Sequence, residues 1–269
     1  MNSIARSLAS VRLLESLSRG DSLVHALRPL AKLVATFLFL VAIASTGPRE
    51  VVGLLPFALY PALVLALSDL PAAPIAARLA AVSPFVIFIG ALNPLFDREL
   101  VSFGGAMIAG GWLVFASIAI KCALAIWAAL LLVATTGMDG LGEAMRALRL
   151  PRVFVLQTLL AYRYVSLLME ELASSLRAHE LRSPGGRGVG KRARGSLPGR
   201  LLVRTYDRGV RVHDAMLLRG FDGEYRTGRP RALRAVDVAY LAAWTAFFAA
   251  ARFVDLPGAL GAFVMKAAR

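Results

Sequence analysis

The sequence predicts an all-α, polytopic integral membrane protein with about five transmembrane helices, two long cytoplasmic helices and one short cytoplasmic helix. Hydrophobic residues make up 58% of the 269 residues, against roughly 45–50% apolar residues in typical globular domains. They are concentrated in runs long enough to cross a bilayer. The chain is also strongly basic, with a formal net charge of +14. A soluble nucleic-acid-binding protein could carry this charge but not these runs, so we expect the lipid bilayer and no nucleic acid as a partner.

Five apolar segments are candidates for transmembrane helices. They are Leu30–Thr46, Val51–Leu67, Ala80–Phe96, Gly105–Thr136 and Val236–Val254. Gly47–Glu50 predicts a tight turn between the first two, and Pro56 and Pro61 are expected to kink the second. The fourth would be about 48 Å long as one helix. It must therefore tilt or protrude, with Lys121 near its middle.

The positive charges predict the orientation in the membrane. Residues 137–234 hold 19 of the 31 Lys and Arg, and the first 32 residues hold another five. Cytoplasmic segments carry the excess of Lys and Arg. We therefore expect a cytoplasmic amphipathic N-terminus (1–29), transmembrane helices 1–4 (30–136), a cytoplasmic domain (137–233), and a last transmembrane helix with a C-terminal tail (234–269).

The cytoplasmic domain is predicted to contain three helices. Met138–Leu150 reads as a short amphipathic helix, Pro151 begins a long helix that runs to about Arg182, and Gly199–Arg219 forms the third. The Gly- and Arg-rich segment 183–198 is expected to be a mobile linker. The apolar stretch 153–168 is placed at the membrane boundary, because acidic and basic residues follow it directly; a transmembrane placement is the alternative.

The two long helices end in the same pattern: an alanine, three residues, an arginine and a small residue. The six positions are Ala178, Arg182, Ser183, Ala215, Arg219 and Gly220. The spacing of four places each alanine and arginine on one face, and the small residue would let another protein approach while the guanidinium binds carboxylate or carbonyl oxygens. Routine capping of a helix C-terminus explains the same pattern. Spacing alone does not decide between these interpretations.

Several motifs resemble the transmembrane T component of energy-coupling factor (ECF) transporters, most closely the cobalt-transport permease (CbiQ) type. The segment from Ser22 to Leu33 is similar to the family pattern Ser-x-x-His-x-Leu-Asp-Pro-x-x-Lys-Leu, with Arg28 in place of the acid. Ala215–Phe221 gives the strongest match, and Ser183 stands where the family has glycine. The pairs Asn93-Pro94, Leu150-Pro151 and Arg163-Tyr164 also fit.

This resemblance implies a coupling subunit without catalysis of its own, in a prokaryotic inner membrane. It implies that the six helix-end residues dock against two ABC-type ATPase subunits, which bind the ATP and Mg, so that this chain needs no cofactor. The membrane helices would bind a membrane-embedded substrate-capture protein. The Arg-Gly-Phe-Asp-Gly form at 219–223 resembles cobalt transporters. The same role for nickel or a vitamin is the alternative.

Two other function classes lack support in the sequence. A membrane enzyme acting on an anionic or lipid substrate needs a nucleophile, an acid–base pair or a metal set. The three histidines and Cys122 are not at metal-ligand spacing. The P-loop-like run 185–192 has Arg192 where Ser or Thr should hold Mg²⁺. A stand-alone carrier would be expected to have intramembrane acids. Lys121 is a possible intramembrane polar site, which faces a partner or polar cavity or else extends to the interface.

Overall fold

The computed structural model describes residues 18, 20, 22–91, 93–96, 100–103, 106–182, 191–223 and 233–253. In these residues all regular structure is helical except one short hairpin. The elements are α1 Leu23–Ala26, α2 Pro29–Ala44, two 3-10 turns at Val52–Leu54 and Pro56–Ala58, α3 Leu59–Leu67, α4 Ala72–Gly90, α5 Asn93–Phe96, β1 Leu100–Phe103, β2 Ala106–Ala109, α6 Gly110–Ala147, α7 Arg152–Arg182, α8 Lys191–Leu218 and α9 Ala235–Phe253. The chain divides into two compact units, which are described separately. The core unit comprises Leu17–Gly137 and Arg231–Arg269, and the basic unit comprises Met138–Pro230.

The centre of the core unit is an aromatic cluster between α2, α3 and α9. The ring centroids of Phe39 and Tyr60 are 4.7 Å apart, and those of Phe39 and Phe248 are 5.5 Å apart. Trp244 meets Tyr60 edge to face at 4.7 Å. Phe39 and Phe57 are fully buried. Burial of these large rings stabilises the packing of α9, the last helix, against α2, the first long one.

Prolines break the second predicted membrane segment. Instead of one helix over 51–67, the structure has two 3-10 turns followed by the nine-residue α3. Pro56 begins the second turn and Pro61 lies in the first turn of α3. A proline lacks the N–H that an interior helical position donates, but in a first turn that N–H has no intrahelical partner. The two prolines therefore change the local helix type: the backbone stays in the right-handed helical region, but the stretch before α3 forms 3-10 turns instead of an α-helix.

The third predicted segment, Ala80–Phe96, has the wrong bounds, because the observed helix begins and ends earlier in the sequence. The helix α4 begins at Ala72 and ends at Gly90, so Arg78 lies inside it. Pro94 is the residue whose N–H would otherwise bond to the carbonyl of Gly90, and it has none. The side-chain amide of Asn93 donates to that carbonyl instead (3.3 Å). The Asn93-Pro94 pair therefore begins the short α5 as a new helix after α4 ends.

The fourth predicted segment, Gly105–Thr136, is not helical at its start. Residues 106–109 form β2, which pairs antiparallel with β1, and the helix begins only at Gly110. Gly137 has φ 65° and ψ 173°, so α6 consists of two helical segments, 110–136 and 138–147. The first segment is still about 40 Å long, more than the roughly 30 Å hydrocarbon core. The hairpin was not predicted from the sequence.

The basic unit contains the second segment of α6 together with α7 and α8. The prediction that a new helix follows Pro151 and ends at Arg182 agrees with α7. The prediction of a linker over 183–198 was wrong for its second half, because α8 begins at Lys191 and continues through Pro198. Residues 183–190 lie outside the described part of the chain. A Cβ added to Gly142 would lie 2.8 Å from Leu159, so the short helical segment contacts α7 closely at this glycine.

The helices confirm a polytopic membrane protein. Within the described part of the chain, four are long and apolar enough to cross a membrane, namely α4, α6, α7 up to His179, and α9. The first two predicted spans correspond to shorter apolar helical stretches: α2 for the first, and the two 3-10 turns together with α3, Val52–Leu67, for the second. The last predicted span, 236–254, agrees with α9 to within one residue. The interfacial placement of 153–168 stays a prediction, because length and composition alone also permit α7 to span. The N-terminal 17 residues and the tail after Phe253 lie outside the described residues.

Candidate docking site at the helix ends

The end of α8 is a Schellman cap built on Gly220. The N–H of Phe221 donates to the carbonyl of Met216 (3.0 Å), and the N–H of Gly220 donates to the carbonyl of Leu217 (3.0 Å). Gly220 has φ 77°, the left-handed conformation that glycine adopts without steric cost. The capping interpretation of this motif is therefore correct as a description of the backbone. It leaves the side chain of Arg219 exposed at the tip of the helix.

The surface around this cap is open. Nothing in the described structure lies within 4 Å of a Cβ built on Gly220, and Ala215 is also exposed. Phe221 folds back and lines a groove with Met216, which is the hydrophobic contact that accompanies a Schellman cap. Backbone capping and accessibility to a partner are thus compatible at Arg219.

The end of α7 has a similar surface. Its last residue, Arg182, is exposed, while Ala178, one turn earlier, is half-buried. Ser183, the remaining predicted position, lies outside the described residues. Leu181, directly before Arg182, is 86% exposed, and Leu218, directly before Arg219, is 89% exposed. The repeated Leu-Arg pair is visible in the sequence, but only the fold reveals that both leucines are exposed.

The helices α7 and α8 pair in antiparallel fashion. Glu171 of α7 forms ion pairs with Arg204 (3.3 Å) and Arg208 (3.6 Å) of α8. Beyond these pairs, the first part of α7 and the last part of α8 line a groove of about 320 Å³, which includes Leu156, Tyr164, Gly209 and Met216. Residue numbers on α7 therefore fall as those on α8 rise. Arg182 and Arg219 lie at opposite ends of the pair, on the order of 35 Å apart along its axis at 1.5 Å per residue.

The motif at the entry of α2 joins three helices of the core unit. The backbone N–H of Arg28 donates to Asp237 of α9 (2.8 Å), and the Nζ of Lys32 donates to the carbonyl of Thr135 in α6 (2.7 Å). Lys32 and His25 are buried, and a hydrogen bond joins Ser22 Oγ to His25 Nδ1 (2.7 Å). The motif thus has a structural role, to hold the start of α2 against the later helices.

The sequence profile of a family described as cobalt transport protein (CbiQ) matches residues 20–229. This range contains the entry motif of α2 and both arginine helix ends. The chain belongs to the CbiQ family. The sequence-based assignment to this transport family is therefore confirmed, and so is the assignment as a multi-pass membrane protein.

Of two relatives of this CbiQ-family chain, one is named as uncharacterized and the other as a nickel permease. An uncharacterized protein of Methanocaldococcus jannaschii is 30% identical over 115 residues, which is 42% of this chain and 39% of the relative. The nickel permease LarQ of Lactiplantibacillus plantarum is 31% identical over 97 residues, 35% of this chain and 36% of the relative. The chain thus matches well under half of the length of either relative.

The described residues offer little chemistry for holding a metal or a nucleotide. Among them, no group of three or more His, Cys, Asp or Glu could hold a metal ion. Of the P-loop-like run 185–192, only Lys191 and Arg192 are described, at the start of α8. Neither finding assigns a site for cargo or cofactor to this member of the CbiQ family.

Lys121 lies beside the turn that follows α2. Its Nζ donates to the carbonyls of Thr46 (2.7 Å) and Gly47 (3.2 Å). Because Lys32 at the other end of α2 reaches Thr135, the part of α6 alongside α2 runs from about 121 to 135. Lys121 is therefore level with the end of α2 and not with its middle, and residues 110–120 extend about 15 Å further.

Proposed function

We propose that this chain is the transmembrane coupling subunit of an ATP-driven, ECF-type importer. The observation that carries the proposal is the pair of exposed arginines, Arg182 and Arg219, at opposite ends of the antiparallel pair α7–α8. Capping of a helix end needs no particular side chain at the residue before the glycine. Two exposed arginines in equivalent positions on one helix pair are better explained as contacts to other proteins.

The separation of the two ends favours two partner molecules over one. A separation on the order of 35 Å is about three helix diameters, so one groove that fits a single helix end would not reach both arginines. In the proposed complex each end docks against one ABC-type ATPase subunit, and ATP and Mg are bound there. This chain then has no cofactor and no catalytic residues of its own. Closure of the ATPases on ATP would move α7 and α8.

The proposed cargo is cobalt, delivered by a membrane-embedded capture protein that binds the core unit. The family description supports cobalt, and the similarity to a nickel permease makes nickel the first alternative, followed by a vitamin. The proposed location is a prokaryotic inner membrane. The N-terminus and the basic unit would lie in the cytoplasm, where the ATPases are and where most of the Lys and Arg belong by the positive-inside rule.

The decisive experiment reverses the charge of one helix end. We expect Arg219→Glu to abolish recovery of ATPase subunits with the tagged chain, because a carboxylate would repel the acceptors of the guanidinium. Arg200→Glu is the matched control: Arg200 is exposed on the same helix, 19 residues away. Recovery is measured by mass spectrometry after extraction in mild detergent.

Size-exclusion chromatography of both variants shows whether the chain remains folded. Normal recovery of ATPases with Arg219→Glu would refute the proposal. Equal loss with Arg200→Glu would mean that overall charge, and not the helix end, governs assembly. Uptake of radioactive cobalt or nickel into cells that produce the complete complex then identifies the cargo.

A further inference from the structure

Two leucines are solvent-exposed beside the proposed docking arginines. Leu218 (89% exposed) and Leu181 (86%) are among the three most exposed large apolar side chains in the described residues; the third is Phe253 (88%). Each leucine directly precedes the exposed arginine of its helix, Arg219 or Arg182. The same combination thus occurs twice, at the two ends of the α7–α8 pair.

Apolar side chains at the end of α8 can be buried in the groove against α7. Met216 and Phe221 line the groove against α7, and Phe221 is half-buried there. Leu218 lies between them in the chain but remains outside the groove. Single exposed leucines are common on protein surfaces and need no explanation. The repeated position next to an arginine, on two different helices, is the observation that requires one.

A carboxylate on a partner would bind Arg219 less well than it would bind an arginine elsewhere. The last carbonyls of a helix carry partial negative charge, equivalent to about half an elementary charge, which repels an approaching anion. An ion pair that stays exposed to solvent at the rim of an interface is worth about 0–1 kcal/mol and is screened by salt. An arginine at a helix C-terminus is therefore a weak anchor by itself. Burial of a neighbouring leucine supplies affinity that neither the helix dipole nor salt reduces.

We propose that each helix end docks through a Leu-Arg pair: the leucine inserts into an apolar pocket of the ATPase subunit, and the arginine binds a carboxylate at the rim of that pocket. The inference rests on the proposed function and extends it, since it assigns Leu218 and Leu181 as docking residues. It also specifies the partner surface, which has an apolar floor and an acidic edge. Successive residues on a helix are about 100° apart, so the two side chains make separate contacts.

The test measures the affinity of the full chain for the ATPase subunits that co-purify with it. Leu218→Ser is compared with Leu202→Ser, a matched control, because Leu202 lies on the same helix and is 72% exposed. Burial of a leucine predicts a Kd about 10- to 100-fold higher for Leu218→Ser, with the same factor at low and high salt. Leu202→Ser should bind as the wild type does. Arg219→Gln should weaken binding by a factor that falls as salt rises.

The outcomes separate this inference from the proposed function. If Leu218→Ser binds as tightly as the wild type while Arg219→Glu does not bind, the leucine anchor is refuted and the coupling role stands. If Leu202→Ser loses as much affinity as Leu218→Ser, the whole apolar face of α8 and not the helix end is responsible, which also refutes it. If Arg219→Glu and Leu218→Ser both bind normally, the proposed function fails as well. Both leucines are exposed, so the variants should fold.

Discussion

The carboxylate of Asp237 accepts hydrogen bonds from two backbone N–H groups that belong to different helices. Arg28, at the N-terminal cap of α2, donates to one oxygen (2.8 Å), and Arg234, at the cap of α9, donates to the other (3.0 Å). Asp237 is only 3% exposed. In the family pattern an acid occupies position 28. In this chain a carboxylate from the last helix caps the same helix start, which is why the departure at Arg28 is tolerated.

We expect Asp237→Ala to lower the free energy of unfolding by about 2–3 kcal/mol, since two N–H groups lose a charged acceptor. Thermal unfolding in detergent measures the effect. Asp214→Ala, an exposed acid on α8, is the control and should change little. Adding Arg28→Asp to Asp237→Ala should restore part of the loss, because the acid then caps α2 from position 28. No loss with Asp237→Ala would contradict the dual cap.

Arg149 occupies a position that normally requires glycine. The N–H of Leu150 donates to the carbonyl of Met145 (3.2 Å), and the N–H of Arg149 donates to the carbonyl of Arg146 (2.9 Å). This is the same cap as at Gly220, but with an arginine at φ 57°. A side chain in the left-handed region costs about 1–2 kcal/mol.

The two caps therefore predict opposite effects of opposite substitutions. Arg149→Gly should raise stability by about 1 kcal/mol, and Gly220→Ala should lower it by about the same amount. Chemical denaturation of the two variants beside the wild type measures both changes. A destabilised Arg149→Gly would show that the arginine side chain makes contacts that outweigh its backbone strain.

An acidic side chain lies at the N-terminus of α2 and basic side chains lie at its C-terminus, which is the arrangement that the helix dipole favours. Asp237 lies at the N-terminus, where backbone N–H groups are exposed, and Lys121 and Arg252 bind carbonyls at the C-terminal turn. Arg252 Nη2 donates to the carbonyl of Ser45 (3.0 Å). The three side chains come from α6 and α9. These three charged residues are thus explained by the ends of α2, whose backbone groups need hydrogen-bond partners.

Lys121→Met tests whether this lysine is structural. The methionine keeps the length of the side chain but cannot donate to Thr46 and Gly47, so we expect about 1–2 kcal/mol of lost stability. Cargo uptake per assembled complex should stay unchanged, and Lys121→Arg should retain most of the stability. Lost uptake in a normally stable Lys121→Met would assign the lysine to a transport pathway instead.

The elements that could be predicted are those with a long apolar run or a proline at the start. The last span is an example, and so is α7, which follows Pro151 and ends at Arg182. The hairpin at 100–109 was missed because its two four-residue strands contain the same apolar residues as a membrane helix. The start of α8 was missed because Gly- and Arg-rich sequence favours a loop locally, whereas the backbone of 191–198 is helical.

The candidate site was predictable in part. The repeated spacing located Arg182 and Arg219, but not the antiparallel pairing that places them at opposite ends. That pairing depends on contacts between residues more than 30 positions apart, such as Glu171 with Arg204. Asp237 was not singled out for the same reason: its partner Arg28 is 209 positions away.

The topology of the whole chain depends on α7, which is apolar enough to cross the membrane but is followed by the basic α8. With five spans and an interfacial α7, the proposed orientation places α8 in the cytoplasm. In a Cys122→Ser background, Leu202→Cys should react with a membrane-impermeant maleimide only in inverted vesicles. Pro48→Cys, on the exposed turn after α2, should react only in right-side-out vesicles. Both cysteines reacting from the same side would mean that α7 spans.

Gly137 makes one position of α6 unable to carry a side chain. It joins the two segments of α6 with a backbone that is not helical, at φ 65° and ψ 173°. This combination of angles is essentially limited to glycine. A Cβ there would also lie 2.8 Å from Ser18 Oγ. Any exchange of this residue would therefore have to change the backbone of the junction and displace Ser18 as well.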